Sequence, residues 1–497
     1  MYPLTSFGTL LLLCLLYSTI GFSQIVDSLL PISTDALELQ AETQGVTDLD
    51  MEAFQLQLPL NVNTVTEGVL LQLGVLSSQQ IQAFLYYRAN FGPFISLYEL
   101  QAIPHFDLAT IKALRPYLSS KQHTDDYQAA LADLFRTGRR TVQTRWSQSW
   151  SKRDNTSALG PPFQLTLRLR HQHGNKLSIG LQAEKDAGEP FFRGANRAGF
   201  DFYSMHAYLQ NYRHWLKAVA LGDYKLSLGQ GLLIYQGFST SKGSVATAIK
   251  QADRKLAPHA STGESRFLRG AAFHLQFGNL HWTAFGSLKK LDGAVVADTL
   301  GQAFSRNFSE SGLHRTASEL SRKGKIRQSI LGQQIEWKSA NWMVGTNILW
   351  ANFRLPIVPT AAPYNRYHFR GNTQLGLSVH YSFRPKNWQL FGEVARSRNG
   401  AYAHLHSLLV GLGPKLDLAL SYRHYAKAYQ AMFANAFRSS TRTQNETGWY
   451  IGIQLRPHRQ WTLNAHIDIW QHPWLQFRAD RPSLGRAYRL RLNYKRK

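Results

Sequence analysis

Cysteine is all but missing from this 497-residue sequence; the one present is Cys14. It lies in "GTLLLLCLLYSTIGFSQ", where an apolar core from Leu10 to Leu16 is followed by the small residues Gly21 and Ser23. That pattern reads as a secretory signal over residues 1–23, cleaved between Ser23 and Gln24, although no Lys or Arg precedes the core. Leu13 stands where a lipoprotein signal carries a small residue, which argues against a lipid anchor. With Cys14 removed, neither a disulfide framework nor a thiolate metal site is expected. After the signal there is also no apolar run of ~18 residues, so no transmembrane helix is expected. Metal-ligand spacing is equally scarce. The 18 histidines include no His-Glu-x-x-His, and "HQH" at His171 to His173 puts two imidazoles on one strand face with no third ligand close in sequence.

Acidic residues thin out along the chain. Residues 24–135 hold 13 acids and 4 bases, a net charge of −9. From Arg136 onward there are 18 acids against 52 bases, a net of +34, and all 12 tryptophans fall in this part, beginning at Trp146. Two different objects therefore meet near residue 135.

The larger object alternates with period two. In "FQLTLRLRHQ", Phe163, Leu165, Leu167 and Leu169 oppose Gln164, Thr166, Arg168 and Arg170, which is a strand pattern. "TQLGLSVHYSFR", "WTLNAHIDIW" and "YRLRLNYK" repeat it, and many such segments start or end on Trp or Tyr. A tilted strand crosses a bilayer in ~9–11 residues with aromatic girdles at both interfaces. A soluble sandwich would also alternate. Polar faces rich in Arg, Gln and His, and tight turns such as "RPKNW" and "RPHRQW" between longer loops, favour an outer-membrane barrel. Candidate strands number about seventeen, where single-chain bacterial barrels use an even count. Either one strand is miscounted or the chain is incomplete, and the cationic ending "RLNYKRK" fits the second. The glycine-rich "LGDYKLSLGQGLLIYQGF" lacks the strand-to-helix context of a phosphate loop; its glycines are expected to let strands bend or pack closely in the barrel wall.

Residues 47–119 are helical in texture. Thr64 followed by Glu67 is a capping box, and "SSQQIQAFLYYRANFG" opens on serine caps and stops at Gly92-Pro93. "SLYELQAI" and "DLATIKALRPYL" repeat the arrangement. With Asn61, Asn63-Thr64, Tyr87-Arg88, Gly92-Pro93-Phe94, Glu99-Leu100 and Leu114-Arg115-Pro116, residues 60–118 resemble the tandem helix-hairpin-helix domain of ComEA-type competence DNA receptors. The resemblance implies phosphate binding by Gly-x-Gly hairpins at helix N-termini. Here the hairpins read Val75-Leu76-Ser77 and His105-Phe106-Asp107, without glycine. Charges over residues 56–120 cancel, and nonspecific DNA binding needs cations that displace counterions. Nearly the whole mature chain also resembles outer-membrane helix-hairpin-helix proteins of Bacteroidetes-type bacteria, through "LSSQQIQAFLYYR", "SLYELQAIPHFDLATI", "GDYKLSLGQGLLI", "FLRGAAF", "FGEVARSRNG", "YRHYAKAY" and "HPWLQF". That resemblance implies that the missing glycines are a family trait, and brings no activity with it.

The expected fold is mainly β: an outer-membrane antiparallel barrel of about 16–18 strands over residues 139–497. Before it come an acidic helical linker (24–55), an all-α tandem helix-hairpin-helix domain (56–120) in the periplasm and a second linker (121–138). The expected function is non-catalytic: transport or assembly, with the small domain as an interaction or gating module for a periplasmic protein partner and the barrel in contact with outer-membrane lipid. The alternative is DNA binding and uptake. Arg88, Lys112 and Arg115 are the candidate contacts for nucleic acid; Val75, Leu76, His105 and Phe106 are the candidate hairpin-tip contacts for a protein. No catalytic residue, metal or cofactor is expected. Glu393 and Asp468 are acids on otherwise basic strands that could form a lumen acid–base pair, but salt bridges to neighbouring arginines account for them with less. "NETGWY" at Asn445 reads as a loop entering a strand.

Overall fold

The computed structural model describes residues 59–494, except 64, 66, 68, 69, 71, 72, 74, 121–129, 149–156, 175, 238–242, 244, 252–254, 386 and 459. The signal, the acidic linker and the Thr64 cap lie outside the described residues.

The N-terminal module is helical and held by local capping. β1 (Leu60–Asn61) pairs in parallel with β2 (Leu118–Ser119), tying its two ends together. Helix α1 (Ser78–Phe91) starts on a capping box in which Ser77 and Gln80 satisfy each other's backbone N–H. A 3₁₀ turn (Leu97–Ala102) repeats the device with Ser96 and Glu99, and α2 (Leu108–Leu114) is capped by Asp107. Leu70, Leu73, Leu76, Phe84, Phe94, Leu100, Phe106 and Leu114 are buried together as its core. A further short helix, α3 (Leu131–Arg136), leads into the sheet.

The rest is a β-barrel. Its strands are β3 (Arg139–Gln148), β4 (Phe163–His173), β5 (Leu177–Lys185), β6 (Phe202–Gln210), β7 (Leu216–Leu226), β8 (Leu256–Pro258), β9 (Leu268–Phe277), β10 (Leu280–Ala297) and β11 (Ala303–Ser309). They continue as β12 (Ile326–Lys338), β13 (Trp342–Ile357), β14 (Gly371–Phe383), β15 (Trp388–Ser397), β16 (Tyr402–Gly411), β17 (Leu416–Tyr425), β18 (Glu446–His458), β19 (Trp461–His472) and β20 (Ser483–Tyr494). β8 and β11 are short additions, because β7 pairs directly with β9 and β10 with β12. Of the seventeen expected strands, those near residues 214 and 225 are the single strand β7, so the odd count resolves to sixteen long strands and two short ones in the barrel among the described residues.

Which face is buried decides between barrel and sandwich. On β14 the apolar Leu377 and Val379 are 45% and 49% exposed, while Gln374, Ser378 and His380 on the opposite face are 3%, 5% and 1% exposed. Exposed aliphatic residues outside and buried polar residues inside invert the order of a water-soluble sandwich and match a wall that faces lipid. Short turns lie at one end, as at Arg384–Trp388 and Arg456–Trp461, and most of the long loops at the other. In the ring β20 stands beside β3; their outward Leu490 and Val142 are 72% and 70% exposed.

The lumen is partly filled by the chain itself. Residues 227–237, 245–251 and 255–256 fold inward, and Leu228, Leu232, Leu233, Ile234 and Leu256 pack with Tyr224, Phe285, Leu349, Tyr425 and Tyr429 in one apolar core.

Candidate functional site: the seat of the helical module and the filled lumen

The helical module rests on the short turns of the barrel. The Gln79 side chain of α1 lies against Gly411 so closely that a Cβ there would stand 2.7 Å from the Gln79 Cβ. Arg456, at the β18–β19 turn, donates to the Leu76 carbonyl (3.4 Å) and to Asp417 (2.8 Å). Glu67 is the electrostatic centre of the contact. Its carboxylate pairs with Lys250 of the inward segment at 2.6 Å and with Arg384 of the β14–β15 turn at 3.5 Å, and accepts from Gln82 at 2.9 Å. Burial alone would raise its pKa, but Lys250 and Arg384 outweigh it and hold the carboxyl below its ordinary range. The Gln389 amide of β15 lies among Gln82, Glu67, Lys250 and Ser382. One buried carboxylate thus joins three parts: module, lumen segment and barrel turn.

The candidate contacts separate. Leu76 and Phe106 are buried in the module core and Val75 packs against it, so the side chains expected at free hairpin tips build the module itself. His105 is exposed with φ 69°; its ring lies 3.1 Å from the Gln79 amide nitrogen and its carbonyl accepts from Gln80. Arg88 donates to the Val62 and Val65 carbonyls at 3.1 and 2.8 Å, and burial and then Arg384 push its pKa down to about 10. Its guanidinium is engaged by the module's own backbone. Lys112 and Arg115 are exposed.

Inside the barrel, the two acids flagged in sequence hold inward segments. Asp468 and Glu446 clasp the fully buried Arg423 at 2.8 and 2.5 Å, and Ser439 donates to Asp468 at 2.9 Å. Asp468 thus pairs with an arginine as expected. Glu393 has a different partner set. It accepts from the backbone N–H of Gln230 (2.7 Å) and Leu232 (3.1 Å) and from Ser378 Oγ (2.6 Å). Gly229 and Gly231 have φ 56° and 86°, and a Cβ on Gly229 would meet the Glu393 carboxyl at 2.8 Å. These glycines do not bend the wall. They form a turn within the lumen whose amides cradle an internal carboxylate, as backbone nests cradle anions. Sequence reasoning missed this because Gly229 and Gly231 lie 164 and 162 residues from Glu393 in the chain and nothing local links them.

Two other marked groups are structural. His171 Nε2 lies 3.0 Å from the Leu134 carbonyl and His173 Nδ1 3.0 Å from Thr137 Oγ1, so the "HQH" pair anchors α3. Asn445 (φ 56°) precedes β18 and donates to the Trp474 carbonyl. Among the long loops, Glu189, Asp201 and His314 bring ligand atoms within 4.8 Å of one another. Both His314 nitrogens are taken, by Asp201 (2.5 Å) and Asp292 (2.7 Å), and Lys323 binds Asp201 at 2.6 Å. Burial opposes the imidazolium, but the two aspartates raise its pKa to about 10. The cluster is an internal ion-pair node tying loops together.

No family model matches the chain, and no curated protein matches it. Among solved structures it is similar to an anion-selective porin from Comamonas acidovorans, at 11% identity over 63% of this chain and 80% of that one, with a TM-score of 0.28. It is also similar to OpdQ of Pseudomonas aeruginosa (11% identity, 67% and 86% covered, TM-score 0.32) and to OccK9 (OpdG) of the same organism (13%, 71% and 85%, 0.31). At these scores the likeness carries no argument, and the functional reading rests on the geometry.

Proposed function

We propose that the chain is an outer-membrane channel whose short-turn mouth faces the periplasm and is gated there by the helical module, with the signal sequence directing export. The seat at Glu67 carries this reading. A domain tethered only by its linker would need no ion pair with a lumen segment, whereas a gate needs a contact that reports on the lumen. The segment that ends at Lys250 starts near the long-loop end, is held by Glu393, and reaches the module at the other end. Displacing it from outside would pull one partner away from Glu67. The helix-hairpin-helix likeness of the module supports a compact interaction unit, and its docked face gives that unit a partner within the same chain.

The test uses Gly411, which ends β16. Gly411→Val keeps a residue suited to a strand but wedges the seat at Gln79. Planar-bilayer recordings of the full chain should show the variant open for at least several times the fraction of time seen for the wild type. Equal open fractions, with both forms conducting, would remove the gating role.

DNA passage is the second reading, supported by the exposed Lys112 and Arg115 at the end of α2. It is the weaker one, since Arg88 is engaged within the module.

A further inference from the structure

Three cations sit on the outer wall of the barrel at the long-loop end: Lys290 on β10, Arg327 on β12 and Arg354 on β13, all exposed. Alternation sets their facing. Ser287, Gln328 and Phe353 are buried on the inward face, whereas Leu288 and Leu331, in step with Lys290 and Arg327, are exposed. Lys290 pairs directly with Arg327, and Gln328 with Phe353, so the next step of that register sets Arg327 beside Arg354. Directly opposite residues hold their Cβ atoms about 5 Å apart, and like charges so placed repel. Among the described residues none of the three has an ion pair, a side-chain hydrogen bond or a ring contact. Asp292, two residues along β10 from Lys290, is held instead by His314 Nε2 and the Gly324 N–H, each at 2.7 Å. Arg269 on the neighbouring β9 shows the balanced arrangement, paired with Asp223 at 2.7 Å. The row is an uncompensated charge on a wall.

Its height matches the edge of a bilayer. Toward the short turns the outward face passes through Leu288, Leu331 and Trp350 and reaches the row Leu280, Trp337 and Val344, ten residues from the cations on each strand. At ~3.4 Å per residue and a tilt of ~40°, ten residues climb ~26 Å along the membrane normal, against an apolar band ~25 Å tall. The cations therefore stand at headgroup level when the lower row stands at the opposite interface. Beneath them Leu288 and Leu331 present exposed apolar surface, on which acyl chains would lie. Charge above and hydrocarbon below is the outline of an anionic lipid.

We propose that Lys290, Arg327 and Arg354 form a binding site for the phosphorylated sugar headgroup of an outer-leaflet glycolipid. The guanidinium forks of Arg327 and Arg354 match phosphate oxygens bidentately, and the Lys290 ammonium adds a point charge beside them. A row about 10 Å long is wider than one phosphate and suits a headgroup that carries more than one. Bound phosphate removes the repulsion within the row, so the lipid completes the wall here. The inference rests on the membrane orientation given above, with the long loops outside, and is independent of gating by the helical module.

The experiment titrates the full chain in a non-ionic detergent with a diphosphorylated disaccharide lipid, and with the same lipid stripped of its phosphates, and reads bound copies by native mass spectrometry. The wild type should hold the phosphorylated lipid at least tenfold more tightly, the scale expected of a few cations at a charged surface. Lys290→Gln with Arg327→Gln and Arg354→Gln should remove that preference. Arg354→Gln alone should weaken binding a few-fold, so the result does not hang on the folding of the triple variant. Arg396→Gln removes another exposed cation, near the long-loop end of β15 and over the Tyr402 ring at 5.5 Å, and should bind as the wild type does. Equal binding of the two lipids, or an equal loss in Arg396→Gln, would overturn the site in favour of diffuse surface charge. Displacement of the lipid by millimolar inorganic phosphate would make it a site for free anions and overturn the lipid assignment. Phosphatidylglycerol bound as tightly, and released by the same triple change, would overturn the sugar headgroup and the orientation with it, leaving gating to be judged by the Gly411→Val recordings.

Discussion

Arg423 joins two acids inside the barrel. It is fully buried, and its guanidinium bonds to two carboxylates that are also fully buried. Removing it would leave Glu446 and Asp468 as uncompensated negative charges in a site from which water is excluded. Breaking a buried pair from one side costs on the order of 3–5 kcal/mol. Arg423→Met should therefore lower the temperature at which the barrel loses its compact gel mobility, and free residues 426–445 to protease. An unchanged transition would mean that water reaches this site. The pair was half legible in sequence: an acid on a basic strand, as at Asp468, calls for an arginine. Glu393 has the same local sequence character, yet its partners are amides of a distant turn. Alternation shows which face a residue takes, and says nothing of which segment folds back onto that face.

Single elements were legible where their pattern is local. Alternation located fifteen of the long strands as separate units and ran two segments, at 214 and 225, where the structure has β7 alone. Strand pairing runs from one to the other through Gly222 and Asp223. The docking of α1 was not legible, because its contact residues Gln79 and Gln82 look like ordinary polar positions on a helix. The ion pair they surround makes the seat sensitive to acid. Glu67 has a depressed pKa, so its contribution to docking is fully present above the ordinary value of 4.5 and is lost as pH falls through the lower folded value. On the proposed gating role, the open fraction should thus be flat from near neutral pH down to about 5 and rise in stronger acid. Glu67→Gln should be open more often at neutral pH and lose most of that acid response. An acid response equally strong in the variant would place the sensor elsewhere.

At the scale of the whole molecule, the opposition of a net −9 N-terminal part to a net +34 remainder was the plainest sequence signal, and it bears on the nucleic-acid question. A barrel this basic will attract DNA whatever the module does, so binding by the full chain proves nothing about the module. What separates the two is the salt dependence. Each phosphate contact contributes about 0.9 to the slope of log affinity against log salt, and the module offers two exposed cations near α2, Lys112 and Arg115. If the module receives DNA, Lys112→Gln with Arg115→Gln should reduce the slope measured on the full chain by about 2. If the module is a gate and the barrel alone attracts the polyanion, the slope should stay the same within about half a unit. The second outcome is expected, because the carboxylate of Asp107 is spent on capping α2 at the helix N-terminus where a phosphate would otherwise bind.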